Sequence, residues 1–219
     1  MKYPAFIALA IMGCLLLPQA ADARIGERRE SFERRLFSNG GIMIRSREED
    51  SSSRRSGPYT SYMQYLGSSA KVRVYFKSDD GSERTQTDVD KGSLGSGWEV
   101  HVLYVNGKSV LELYKRVGSM SEYERNALLG ILGGGGYWKE AEKEPEASPS
   151  VEADAEPGAA EDEPPPSAFG FDYVRNDGEV RAKKSGGGIM VFQKQLDEFL
   201  ARQHESNLQK DAPKSVQGF

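Results

Sequence analysis

The chain has 219 residues, with 29 Lys and Arg against 33 Asp and Glu, a net charge of −4. A length of this order admits one or two domains. Its single cysteine, Cys14, excludes a disulfide framework and cysteine-ligated zinc, so stability has to come from packing.

Residues 1–23 read as a secretory signal peptide. Met1-Lys2 is a positive start, Pro4 to Leu17 is apolar, and Ala21-Asp22-Ala23 is a small-x-small site, which places cleavage between Ala23 and Arg24. The apolar run is shorter than the roughly 20 residues a spanning helix needs, and no later stretch is apolar enough to cross a bilayer. Export to the periplasm or the exterior is the expectation. Ile11-Met12-Gly13-Cys14 also loosely matches a lipoprotein box, in which a lipidated Cys14 would anchor the chain. Met12 and the apolar Leu15-Leu16-Leu17 that follows favour ordinary cleavage.

Arg24 to Phe37 reads as an amphipathic helix, with Ile25, Phe32 and Leu36 near one face and Asn39-Gly40-Gly41 as its stop. Arg24 to Arg55 carries nine arginines against six acids. The two signs interleave, which weakens any net field, and export argues against nucleic acid as a partner. Ile42-Met43-Ile44 is a short strand, and Arg47 to Gly57 is a polar loop. Tyr59, Tyr62, Met63, Tyr65 and Leu66 then concentrate aromatic surface, suited to a core or to a binding groove.

Lys71 to Lys77 alternates as a strand with Val72, Val74 and Phe76 on one face, Asp79-Asp80-Gly81 is a turn, and Ser82 to Thr87 returns as a second strand. Trp98 to Val105 and Lys108 to Tyr114 form a hairpin about Asn106-Gly107, residues suited to the positive-φ positions of a type I′ turn. Ser119-x-x-Glu122 fits a capping box opening a helix whose apolar stripe is Met120, Tyr123, Ala127, Leu128 and Ile131. Gly133 to Gly136 ends it. These glycines follow a helix and lack the Lys-Ser/Thr of a phosphate loop.

Lys139 to Ala168 holds ten acids, two lysines and Pro164-Pro165-Pro166, the composition of a disordered tether. Phe169 to Tyr173 and Glu179 to Lys183 make a further hairpin around Asn176-Asp177-Gly178. Ile189 to Phe192 follows Gly186-Gly187-Gly188, and Phe192, Leu196, Phe199, Leu200 and Gln203 keep helical spacing. The predicted organisation is a signal peptide (1–23), an α+β domain (24–138), a disordered linker (139–168), a hairpin plus helix (169–210) and a disordered tail (211–219). The last folded piece is small for independent stability and is expected to dock on the first domain. The predicted fold class is α+β, an antiparallel sheet with helices packed on one face.

No catalytic constellation stands out. His101 and His204 are the only histidines, neither in a metal-ligating or Gly-x-Ser-x-Gly context, and both read as structural or surface residues. Asp79, Asp80, Glu99, Glu112, Asp172 and Asp177 are the carboxylates available for sugar hydrolysis, most of them at turns. No cofactor and no metal are expected. The candidate binding residues are Tyr59, Tyr62, Tyr65, Trp98 and Trp138.

Arg24-Ile25-Gly26-Glu27 and its helix, Val102-Leu103-Tyr104-Val105-Asn106-Gly107-Lys108, the helix from Met120 to Leu132, and Tyr137-Trp138 resemble uncharacterised exported bacterial proteins over about half of the chain. A looser, fold-level likeness is to small outer-membrane-assembly lipoproteins and β-lactamase-inhibitor-like folds, which implies a protein-binding envelope module. Three readings follow: a non-enzymatic envelope or periplasmic module with a protein partner, a binder of a small molecule or envelope polysaccharide through the aromatics, and a weak carboxylate hydrolase.

Overall fold

A computed structural model describes residues 25–44, 56–141 and 166–211. The expected signal segment and Ala23–Arg24 cleavage, the Cys14 alternative, most of the expected Arg47–Gly57 loop, residues 142–165 of the expected linker and the expected tail beyond residue 211 lie outside the described residues.

The fold is α+β, built on one eight-stranded antiparallel sheet. Its strands are β1 (Gly41–Met43), β2 (Ala70–Ser78), β3 (Gly97–Val105), β4 (Lys108–Arg116), β5 (Trp138–Glu140), β6 (Tyr173–Arg175), β7 (Val180–Ser185) and β8 (Gly188–Gln193). Their order across the sheet is β1-β2-β3-β4-β8-β7-β6-β5. The β3–β4 hairpin turns at Asn106 and Gly107, with φ of 51° and 77°, the two positive angles of a type I′ turn. The C-terminal strands join through β8 against β4, in register from Leu111 opposite Phe192 to Lys115 opposite Gly188. The segments on either side of the acidic tether therefore share one sheet.

The helices are α1 (Arg29–Phe37), α2 (Gln86–Asp90), α3 (Glu122–Leu132) and α4 (Lys194–Asp211), with a 3-10 helix at Thr60–Tyr65. They cover both faces of the sheet, which corrects the expectation of one. On the front face Phe32 of α1 packs on Tyr75, Val100, Val102 and Tyr104, while Leu129 and Leu132 of α3 pack on Val180, Ala182, Ile189 and Val191. On the back face the 3-10 helix and α4 meet Leu103, Leu111, Leu113, Met190 and Phe192, and Val89 of α2 meets Val74 and Phe76. The signal was in the strands. Val100 to Tyr104, Val110 to Leu113 and Ile189 to Phe192 are buried without interruption, the pattern of strands covered on both sides.

Local capping accounts for two further corrections. Ser82 to Thr87 forms no strand. Thr85 and Asp88 make a reciprocal capping box, with the Thr85 side chain accepting from the Asp88 N–H, and the chain enters α2 instead. The N-cap of α3 is Ser121 rather than Ser119. Ser121 and Glu124 complete the box, Glu124 Oε2 accepting from the Ser121 N–H at 2.9 Å. Both serines precede a glutamate by three residues, so spacing alone does not separate them.

The ordered chain also reaches into both ends of the predicted tether. Lys139 and Glu140 pair in β5 with Val174 and Tyr173. At the far end, buried Asp197 of α4 accepts from the Ser167 hydroxyl at 2.6 Å and from the N–H groups of Ala168 and Phe169 at 2.9 and 3.1 Å. Asp197 also pairs with buried Arg181 at 2.6 Å, and the Arg181 guanidinium stacks 4.4 Å over the Phe171 ring. One carboxylate thus ties the returning chain, β7 and α4 together.

Candidate functional site

Helix α3 carries two apolar stripes. Leu129 and Leu132 face the sheet and are buried. The stripe read from the sequence largely faces outward, since Tyr123 is 83% exposed, Ile131 is 59% exposed, and Ala127 is exposed between them. Tyr123, Ala127 and Ile131 are four residues apart and form one ridge along the helix. A surface helix ordinarily turns its charged face outward and its single apolar stripe inward.

That ridge walls a groove of about 380 Å³. The facing wall is the C-terminal end of α1, with Arg35, Leu36 and Asn39. Trp98, Val100 and Tyr114 make the floor, from the front face of β3 and β4, and Lys77 stands at the β2 side. The volume lies within the range of ligand clefts, and the lining is mostly apolar with a few polar groups at the margins. Charged pairs fix those margins. Arg35 is held by Glu27 at 2.8 Å. Arg116 is held by Asp79 at 2.7 Å and Glu124 at 3.0 Å, with its guanidinium 5.3 Å over the Trp98 ring.

Behind the floor lies a buried acid. Glu112 is fully enclosed on the same face of β4, and Tyr114 donates to its Oε2 at 2.6 Å. Burial raises the Glu112 carboxyl above the usual carboxylate range, although the bonds from Tyr114 and Ser109 and the Arg35 charge pull the other way. The same enclosure, with Glu112 beside it, pushes the Tyr114 hydroxyl well up. Glu112 does not line the groove, so it supports the floor without meeting a ligand.

The five candidate aromatics are not gathered at one place. Trp98 is in the groove floor. Trp138 packs under α3, its indole N–H donating to the Leu129 carbonyl at 2.8 Å. Tyr62 and Tyr65 are on the back face. Tyr62 donates to the Ala168 carbonyl at 2.7 Å and stacks edge-on to Phe169, and both rings meet His204 of α4. Tyr59 is 1% exposed and lies 2.6 Å from His101 Nδ1.

His101 is more tightly held than a lone strand histidine would suggest. It is fully buried, with Tyr59 on one ring nitrogen and Glu99 Oε1 2.7 Å from the other. Of the structural and surface readings, burial leaves the structural one, with a partner on each ring nitrogen. The i, i+2 spacing of Glu99 and His101 on one strand face was the available signal. None of the described hollows is lined by these residues. Of the carboxylates considered for hydrolysis, Asp80 caps its own turn, where bonds from Ser82 lower it to about 2, and Asp177 is held by Arg175 at 2.5 Å. Among the described residues no group of three or more His, Cys, Asp or Glu side chains could hold a metal ion.

No protein-family model matches the chain, and no curated protein or solved structure is significantly similar to it. Among the described residues no helix is long and apolar enough to cross a membrane.

Proposed function

We propose that this chain is a non-enzymatic protein-interaction module of the cell envelope, and that the groove between α1 and α3 receives an amphipathic helix of its partner. The observation that carries this reading is the outward ridge Tyr123–Ala127–Ile131. A small ligand on the Trp98 floor would leave the outer surfaces of Tyr123 and Ile131 in water. An apolar helix face laid along the groove covers floor and ridge together, which is the helix-in-groove mode. Helix α3 has 11 residues, a wall about 16 Å long at 1.5 Å per residue, which suits about three turns of a partner. Lys77 at the margin makes no ion pair among the described residues and favours an acidic residue at that end of the partner.

The test is site-specific photo-crosslinking in living cells, with a photoreactive side chain at position 123 on the groove rim or at position 62 on the back face. The reading expects one dominant adduct from position 123 that disappears in an Ala127→Arg background. Adducts only from position 62, or an adduct from 123 unaffected by Ala127→Arg, would overturn it.

A further inference from the structure

At the other end of α1 lies a second hollow, of about 290 Å³, lined by Arg29, Ser68, Ser69, Lys71, Arg73, Tyr104 and Gly107. Three cationic residues and two serines line it with Tyr104, whose hydroxyl is bonded to that of Tyr75 at 3.2 Å, and no carboxylate does. We infer that this hollow binds a phosphate monoester. The inference is independent of the groove, which opens at the opposite end of α1 and shares none of these residues.

The arrangement is held in place from behind. Glu33 of α1 accepts from Arg73 Nη1 at 2.8 Å and from the Tyr75 hydroxyl at 2.9 Å, and Arg29 Nε lies 4.0 Å from its other oxygen. That carboxylate fixes Arg73 while standing outside the lining, so the other guanidinium nitrogens of Arg73 remain available. Arg29 also pairs with Glu30, at 2.8 Å. Lys71 is exposed and has no carboxylate within ion-pair distance among the described residues. The hydroxyls of Ser68 and Ser69 accept and donate no hydrogen bond among the described residues. The positive end of the α1 dipole points to the same place, since the Arg29 N–H meets the Gly107 carbonyl at 2.9 Å.

The geometry selects the ligand class. A planar carboxylate is satisfied by one arginine fork. Here the donors come from separate elements, Arg29 from α1, Arg73 and Lys71 from β2, and the two serines from the turn before β2. Donors drawn from several elements suit a tetrahedral group with three free oxygens. The hollow is also larger than a bare phosphate needs, which leaves room for the alcohol that carries it. That alcohol is either a small soluble molecule or a lipid.

The test uses the full chain. Amide signals of Ser69, Lys71 and Gly107 are followed by NMR as glycerol 3-phosphate is added, with sodium chloride at matched ionic strength as the control. Flotation with phosphatidylcholine vesicles, with and without phosphatidic acid, gives the lipid-borne arm. Saturable shifts, phosphatidic-acid-dependent flotation, or both are expected, and the responding arm identifies the source. Lys71→Glu and Ser69→Asp, both at exposed positions, are expected to weaken binding about tenfold or more, the scale of one lost charge-assisted hydrogen bond. No response in either arm, an equal response to chloride, or unchanged binding in both variants would overturn the inference.

Discussion

Glu112 and Tyr114 lie two residues apart on one face of β4, and the Tyr114 hydroxyl donates to Glu112 Oε2 at 2.6 Å. Tyr114 is part of the groove floor and Glu112 is sealed beneath it, with Oε1 lacking a hydrogen-bond partner among the described residues. Burial raises the Glu112 carboxyl, so the folded chain holds a proton at pH values where the unfolded chain has lost it. That contribution to stability is complete below the ordinary Glu range and is lost as pH rises through the raised folded value. Glu112→Gln mimics the protonated form and does not titrate. The stability of Glu112→Gln relative to the natural chain should therefore increase as pH rises above the ordinary Glu range, as measured by urea unfolding. A constant difference would show that Glu112 titrates alike in the folded and unfolded chain.

Asp197 bonds to Arg181, Ser167, Ala168 and Phe169 at once. Asp197→Ala leaves the Arg181 guanidinium, 2% exposed, without its closest carboxylate, although Glu198 stays at 3.0 Å. Breaking one partner of a buried pair costs about 3–5 kcal/mol. Urea unfolding of Asp197→Ala should fall near the lower end, since Glu198 compensates in part. A loss under about 1 kcal/mol would show that the pair is replaceable by water.

The two candidate caps of α3 separate cleanly by substitution. Ser121→Ala should cost about 1 kcal/mol, the usual value of a lost N-cap, and Ser119→Ala should stay within about 0.5 kcal/mol. Thermal unfolding of both variants checks it, and the reverse order would move the helix start back by two residues.

Much of this fold could be read from the residues. Asn106-Gly107 marks its hairpin because its two positive φ angles suit few other pairs. The C-terminal strands and helix were visible in Ile189 to Phe192 and in Leu196 and Leu200. The edge-to-edge union of β8 with β4 was not, because backbone pairing across a long tether leaves no local trace. Helices on both faces are written in β3, β4 and β8, where apolar residues outnumber the single His101 and Glu112 on both sides of the strand, whereas the alternation in β2 suggests one covered face.

The groove was hidden for a related reason. Tyr123, Ala127 and Ile131 have the spacing of a core stripe, and so do Leu129 and Leu132 together with Leu128. A helix with two stripes gives no internal sign of which one its sheet will take. Ile189, Val191, Val180 and Ala182, distant in sequence, decide it. The clasp around His101 was legible in part, since Glu99 shares its strand face, while Tyr59 arrives from 42 residues away.

The aromatic residues of the back face carry stability in this account. Tyr62→Ala removes a bond to the Ala168 carbonyl and ring contacts to Phe169 and His204. It should cost about 2–4 kcal/mol in urea unfolding. Ala127→Arg, on the exposed ridge, should stay within about 0.5 kcal/mol.

The most direct test of the groove reading is the affinity of the partner crosslinked at position 123 for three folded proteins measured in parallel: the natural chain, Ala127→Arg, and Tyr62→Ala at a temperature where it remains native. Ala127→Arg should weaken binding at least about tenfold, the effect of disrupting the centre of an interface, while Tyr62→Ala should bind like the natural chain. Loss of binding in Tyr62→Ala with Ala127→Arg unaffected would contradict it and move the interaction surface to the back face of the sheet.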